Sequence, residues 1–125
     1  MADQKAVILC VDDEKNPLTL RKLVLERAGY TVLTASSAEE AMKLITGNHI
    51  DLVVSDYLMP GVVGTELAKQ IKKVHPNIPF VLLSGVNDIP EDASYADLFI
   101  SKVEGPASMC EKIAAVLATE LQAPE

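Results

Sequence analysis

The sequence predicts an α/β fold: a doubly wound, five-stranded parallel sheet with helices on both faces. Three observations lead there. Short apolar runs rich in Val, Leu and Ile alternate along the 125 residues with segments whose apolar residues recur at helical spacing. Two of those runs, Ala6 to Val11 and Leu52 to Val54, are apolar at every position, as a strand buried on both faces must be. The runs also end in carboxylates, a hydroxyl or an ammonium, and function in open parallel sheets collects just beyond the carboxyl ends of strands.

Taken in order, Ala6 to Val11 is the first strand. A helix follows with Asn16 as N-cap and Pro17 at its first position; Leu20, Leu23, Val24 and Ala28 mark its core face and Gly29 stops it. Tyr30 to Thr34 alternates as a strand near the sheet edge does. Ser37 and Glu40 have capping-box spacing and open a second helix, with Ala38, Ala41, Leu44 and Ile45 inward and Gly47 at its end. Leu52 to Asp56 is the third and most buried strand, after which Pro60 and Gly61 turn the chain. The next helix, from about Thr65 to Val74, buries Leu67, Ile71 and Val74 and stops before Pro76. Pro79 to Leu83 is the fourth strand. Between Val86 and Ala96, the residues Asp88, Pro90, Asp92 and Ser94 permit only a short helix. Leu98 to Ser101 is the fifth strand. Gly105 and Pro106 begin a last helix reaching about Leu121, with Met109, Ile113, Val116 and Leu117 inward.

With no repeat and no internal linker, 1–125 reads as one domain: a core of about 5–121, then 122–125 as a frayed tail or the start of a linker. The net charge of −7 argues against gripping nucleic acid or an anionic membrane and suits cation binding. No apolar run exceeds six residues, far short of a membrane span, and the first, Ala6 to Val11, leads straight into Asp12-Asp13-Glu14, unlike a signal peptide. A cytoplasmic protein with two free thiols, Cys10 and Cys110, is expected.

The strand ends carry Asp12 and Asp13, then Asp56, Ser84 and Lys102. A parallel sheet brings all of these to one edge. Three clustered carboxylates repel unless a cation is present, and a hard divalent ion with oxygen ligands, Mg²⁺, resolves that repulsion. A carboxylate can also act as a nucleophile and form an aspartyl phosphate. Asp56 is the candidate, with positive charge from the metal and from Lys102 on the equatorial oxygens and a hydrogen bond from Ser84. Any one of these residues alone is ordinarily a cap or a solvated charge; it is their arrival at successive strand ends that carries weight.

From about Lys5 to Leu121 the chain resembles a response-regulator receiver domain of two-component signalling. The resemblance rests on Asp12-Asp13, on Asp56-x-x-Met59-Pro60-Gly61, and on Ser84, Phe99 and Lys102. It implies a flavodoxin-like strand order of 2-1-3-4-5. It implies Mg²⁺ held by Asp13, Asp56 and the backbone carbonyl of Leu58, with Asp12 acting through water. It further implies phosphorylation of Asp56 by a sensor histidine kinase or histidine phosphotransfer protein, and a switch in which Ser84 and Phe99 move together. The output, whether a downstream protein or a linked domain, is not legible, and a homodimer is compatible with the family.

Departures from the family pattern are specific. Val103 and Glu104 replace the Pro and Phe that usually follow the lysine, so the packing at the start of the last helix is expected to differ. Only 18 positions separate Ser84 from Lys102, about one helical turn fewer than usual, which stunts the intervening helix. Phe99 lacks the hydroxyl of the common tyrosine and so favours the inward position. Val62 and Val63 stand where an acid is common and either meet a partner or pack on the next helix. Leu58 and Val86 flank the site with apolar groups, which predicts slow self-dephosphorylation.

Other classes fit the residues less well. A haloacid-dehalogenase-type phosphatase needs a second Asp two residues after the nucleophile, where Leu58 stands. A flavodoxin-like FMN binder needs a phosphate-cradling first loop, which Asp12-Asp13-Glu14 would repel. The chain thus reads as a signalling phosphoacceptor and not an enzyme. A degenerate receiver, a pure interaction module never phosphorylated, is the remaining alternative.

Overall fold

Runs of β-branched and aliphatic residues become strands, and helical apolar spacing becomes helices, as a computed structural model describes for residues 6–56, 64–84, 97–101 and 104–122. The elements in chain order are β1 (Val7–Val11), α1 (Lys15–Arg27), β2 (Thr31–Ala35), α2 (Ala38–Gly47), β3 (Leu52–Asp56), α3 (Gly64–Val74), β4 (Phe80–Ser84), β5 (Leu98–Ser101) and α4 (Pro106–Gln122). All four strand pairings are parallel, in the order β2-β1-β3-β4-β5. The short helix expected between Val86 and Ala96 lies outside the described residues, as do Val62 and Val63.

Period-two alternation of the strands divides the core in two. Ile8, Cys10, Leu52, Val54, Val81, Leu83 and Ile100 face α1 and α4, whose Leu18, Leu25, Met109, Ile113 and Leu117 close that layer. Leu9, Val11, Val53, Phe80 and Leu82 face α2 and α3, meeting Ala41, Ile45, Leu67, Ala68 and Ile71. The central strands β1 and β3 are therefore apolar on both faces, as their continuous runs require. Cys10 and Cys110 are free thiols. Burial pushes the Cys10 thiol up to about 12, so it stays protonated and inert near neutrality.

The helix ends follow local chemistry. Ser37 caps α2, its hydroxyl accepting from the Glu40 N–H at 3.1 Å, while the Glu40 carboxylate reaches back to the Ser36 N–H at 2.8 Å. The reciprocal arm of the capping box is thus shifted by one residue, and those bonds to Ser36 lower the Glu40 pKa. Gly29 stops α1 at φ +104°, a left-handed geometry suited to glycine. At the opposite rim of the sheet, Asp51 accepts from the Val7 N–H at 2.7 Å and Asp97 from the Phe80 N–H at 2.7 Å. Each carboxylate satisfies the first donor of a neighbouring strand.

Three expectations are corrected. On α1 the core face is not Leu20, Leu23, Val24 and Ala28. Leu18 and Leu25 are buried and Val24 partly so, whereas Leu20 and Leu23 are 62% and 51% exposed and Ala28 is also exposed. The buried stripe runs Leu18, Arg21, Leu25, and the charged middle member hid it. The helix starts at Lys15, following Glu14, so neither Asn16 nor Pro17 holds its expected position. On α3, Val74 is exposed because the helix ends at the rim of the sheet, beside Ile50, Asp51 and Pro79.

This division predicts unequal costs for similar truncations. Leu25→Ala should lose about 2–5 kcal/mol of stability, whereas Leu23→Ala should stay within about 0.5 kcal/mol. Urea unfolding of the two variants checks this, and equal losses would contradict the assignment of the α1 faces.

Candidate functional site

The site is a product of register. Val11 of β1 pairs with Ser55 of β3, so the next residues, Asp12 and Asp56, emerge side by side at the carboxyl edge. Asp56 in turn pairs with Leu83 of β4, and Ser84 pairs with Ser101 of β5. Asp12 and Asp56 thus lie in one row across the sheet with Leu83 and Ile100, and Ser84 stands one row further toward the same edge. Asp12 and Asp56 are almost wholly buried, at 1% and 4% exposure. Asp13 is exposed, and one oxygen of each of the three carboxylates lies within 4.8 Å of the others.

The N–H and both carboxylate oxygens of Asp12 are engaged. Its N–H continues the β1–β2 ladder to the Ala35 carbonyl at 3.1 Å. Its Oδ1 accepts from the Glu14 N–H at 2.9 Å, an Asx-turn that turns the chain from β1 into α1. Its Oδ2 accepts from Arg21 Nη1 at 3.2 Å, in a pair whose side chains are 11% and 1% exposed. A buried carboxylate is costly unless paired and hydrogen-bonded, and Asp12 is both. Sequence reasoning missed Arg21. The signal was present: an arginine inside an i, i+3, i+7 stripe, one helix after a strand-end acid.

Phe99 is half-buried on β5, paired with Leu82 and packed against the core layer of α2 and α3. Ser84 is the last residue of β4. Leu58, Lys102, Val86 and the bond between Lys102 and Val103 lie outside the described residues.

At Glu104, polar contacts provide the order that an aromatic side chain was expected to provide. Its carboxylate accepts from the Ser101 N–H at 3.2 Å, the Ser108 hydroxyl at 2.6 Å and Lys112 Nζ at 2.5 Å. Its own N–H donates to the Ser101 carbonyl at 3.0 Å. The end of β5 is thereby tied to two successive turns of α4. The Lys112 ammonium above all, then Ser108 and the Ser101 N–H, hold the Glu104 carboxyl down at about 2. Beside this staple, between α1 and α4, opens a cavity of about 310 Å³ whose lining includes Arg21, Val24, Leu83, Ile100, Glu104 and Met109.

Three carboxylates converging from two strand ends are hard oxygen donors, and their spacing is compatible with a divalent cation such as Mg²⁺. A parallel five-stranded sheet in the order β2-β1-β3-β4-β5, with acids gathered at its carboxyl edge, places the chain in the doubly wound class. The family model of the response regulator receiver domain matches residues 8–114, and the chain belongs to that family. It is 35% identical over 126 residues to the transcriptional regulatory protein YvrH of Bacillus subtilis, covering 98% of this chain and 53% of that protein. It is 35% identical over 101 residues to the sensor kinase CckA of Brucella abortus, covering 74% of this chain and 11% of the kinase. The chain therefore spans about half of one relative and about a tenth of the other. Among solved structures it resembles the response regulator TrrA of Thermotoga maritima, crystallised with Mg²⁺ and BeF. The TM-score is 0.83 at 33% identity, over 89% of this chain and 98% of that one. Among the described residues, no helix is long and apolar enough to cross a membrane.

The Glu104 staple predicts a pH dependence. A carboxyl whose folded pKa lies below its ordinary 4.5 contributes stability above that value and loses it as pH falls toward about 2. The stability difference between wild type and Glu104→Gln should be constant above about pH 5 and shrink across that window, read from urea midpoints at successive pH values. A difference that does not change with pH would contradict the staple.

Proposed function

We propose that this receiver domain accepts a phosphoryl group on Asp56 from the phosphohistidine of a sensor histidine kinase or histidine phosphotransfer protein. The observation that carries the reading is the burial of Asp56 beside Asp12, with Asp13 close enough to share a cation. A bond forms between an Asp56 carboxylate oxygen and phosphorus as the phosphorus–nitrogen bond to the donor's imidazole breaks, leaving that ring neutral once it is released. Asp12, Asp13 and Asp56, together with the Leu58 carbonyl, are the residues that would hold Mg²⁺. When bound, the ion supplies charge neutralisation for the transferring phosphoryl oxygens.

The Lys102 ammonium shares in that neutralisation, and the Ser84 hydroxyl donates a hydrogen bond to the same oxygens. Ser84 and Phe99 then act as the switch: a population shift between two arrangements alters the surface around β5 and α4. The readout is a protein partner or a linked output domain, and the setting is the cytoplasm, where such donors operate. The likeness to TrrA, whose structure holds Mg²⁺ and BeF, supports the metal part of this reading. So does the burial of Asp12 and Asp56, which a pure interaction module has no need of.

Incubation with Mg²⁺ and acetyl phosphate, followed by intact mass measurement, tests the reading. Wild type should gain one phosphoryl group and Asp56→Asn none. No adduct on wild type would favour the degenerate receiver, and an adduct persisting on Asp56→Asn would move the acceptor elsewhere. With the apolar Leu58 and Val86 each two residues after Asp56 and Ser84 in the sequence, the phospho-form should outlast seconds in Mg²⁺; decay within seconds would contradict that expectation.

A further inference from the structure

We propose that Arg21 is a displaceable internal cation of the acidic pocket: its guanidinium neutralises Asp12 in the metal-free protein and thereby weakens the pocket's hold on a divalent cation. The inference rests on the Mg²⁺ reading given above.

The stripe that packs α1 on the sheet runs Leu18, Arg21, Leu25, and its outer members are buried apolar side chains. An arginine at the middle of such a stripe is ordinarily excluded. It is accommodated because Nη1 lies 3.2 Å from Asp12 Oδ2. That pairing is not needed to orient Asp12, whose backbone continues the ladder to Ala35 and whose Oδ1 is held by the Glu14 N–H. What Arg21 adds is charge: one positive group against Asp12, a member of a cluster of three carboxylates. A divalent cation entering the same cluster meets that charge as a repulsion and competes with it for Asp12.

The guanidinium also has somewhere to go. Arg21 lines the cavity of about 310 Å³ between α1 and α4, and Glu104 lines the same cavity. A long, flexible side chain with an apolar stem suits its walls of Val24, Leu83, Ile100 and Met109. Metal entry therefore shifts Arg21 away from Asp12 and into this hollow. The state of the metal site is thus felt on the α1–α4 face without any movement of the backbone.

Mg²⁺ titration of the full chain, followed by NMR, tests the proposal. Arg21→Gln should bind Mg²⁺ about fivefold more tightly than wild type, the order expected from removing one unit charge several ångströms away. Arg21→Lys, which keeps the charge, should stay within about twofold of wild type. A merely structural role would leave the affinity unchanged or weaken it, and either result would overturn the proposal. Should Arg21→Gln not fold, the guanidinium resonances of Arg21 in wild type decide: they should shift as Mg²⁺ is added, and unmoved resonances would overturn the idea. Wild type that binds no Mg²⁺ at all would instead sink the metal reading on which this one rests.

Discussion

The pairing of β1 with β3 is the constraint on which the rest depends. Fixing Val11 opposite Ser55 brings two acids out of the sheet together, at a depth where water reaches neither freely. A one-residue slip would reverse every side chain of a strand between the two faces, so the apolar layers that pack the core also hold Asp12 beside Asp56. Core and site are specified by the same alternation. The stability of both apolar layers opposes the repulsion between the carboxylates, which is how a cluster unfavourable in itself persists at the edge of a folded sheet.

Much of this was legible in the residues. The five strands, the edge position of β2, the caps at Ser37 and Gly29, and the convergence of Asp12, Asp13 and Asp56 all follow from local patterns with single solutions. Continuous apolar runs must be buried on both faces, and strand-end acids of a parallel sheet must share an edge. The face of α1 was not legible, because two stripes competed. Leu20, Leu23 and Val24 looked more apolar than Leu18, Arg21 and Leu25, and only a long-range partner for Arg21 tips the balance. Val74 was misread for a related reason: periodicity says which way a side chain points but not whether the sheet extends beneath it. Glu104 was read through the aromatic it lacks, while its partners Ser108 and Lys112 lie one and two turns further along the helix, at spacings that signal a staple.

The two faces of the sheet differ in what they contribute. The layer of α2 and α3 is closed by apolar contacts and holds Phe99 half-buried at its margin. The layer of α1 and α4 is closed less completely near the site, where a buried ion pair and a polar staple flank a hollow. Buried charge is a poor source of stability compared with well-packed apolar groups. Its placement here, against the strand ends that carry the acids, makes this layer the more responsive of the two to a change in charge at the edge.

The carboxylates at the opposite rim bear on how the domain looks to an approaching ion. Asp51 is engaged by the Val7 N–H and His49, and Asp97 by the Phe80 N–H and Lys72. Those acids are each engaged by a strand N–H and a nearby side chain. At the carboxyl edge three acids are gathered together, and Arg21 pairs with Asp12 there. In a molecule whose net charge is −7, this rim holds three carboxylates with oxygens within 4.8 Å of one another. Clustered charge of one sign raises the local concentration of cations and speeds their encounter with the rim before any ligand geometry comes into play.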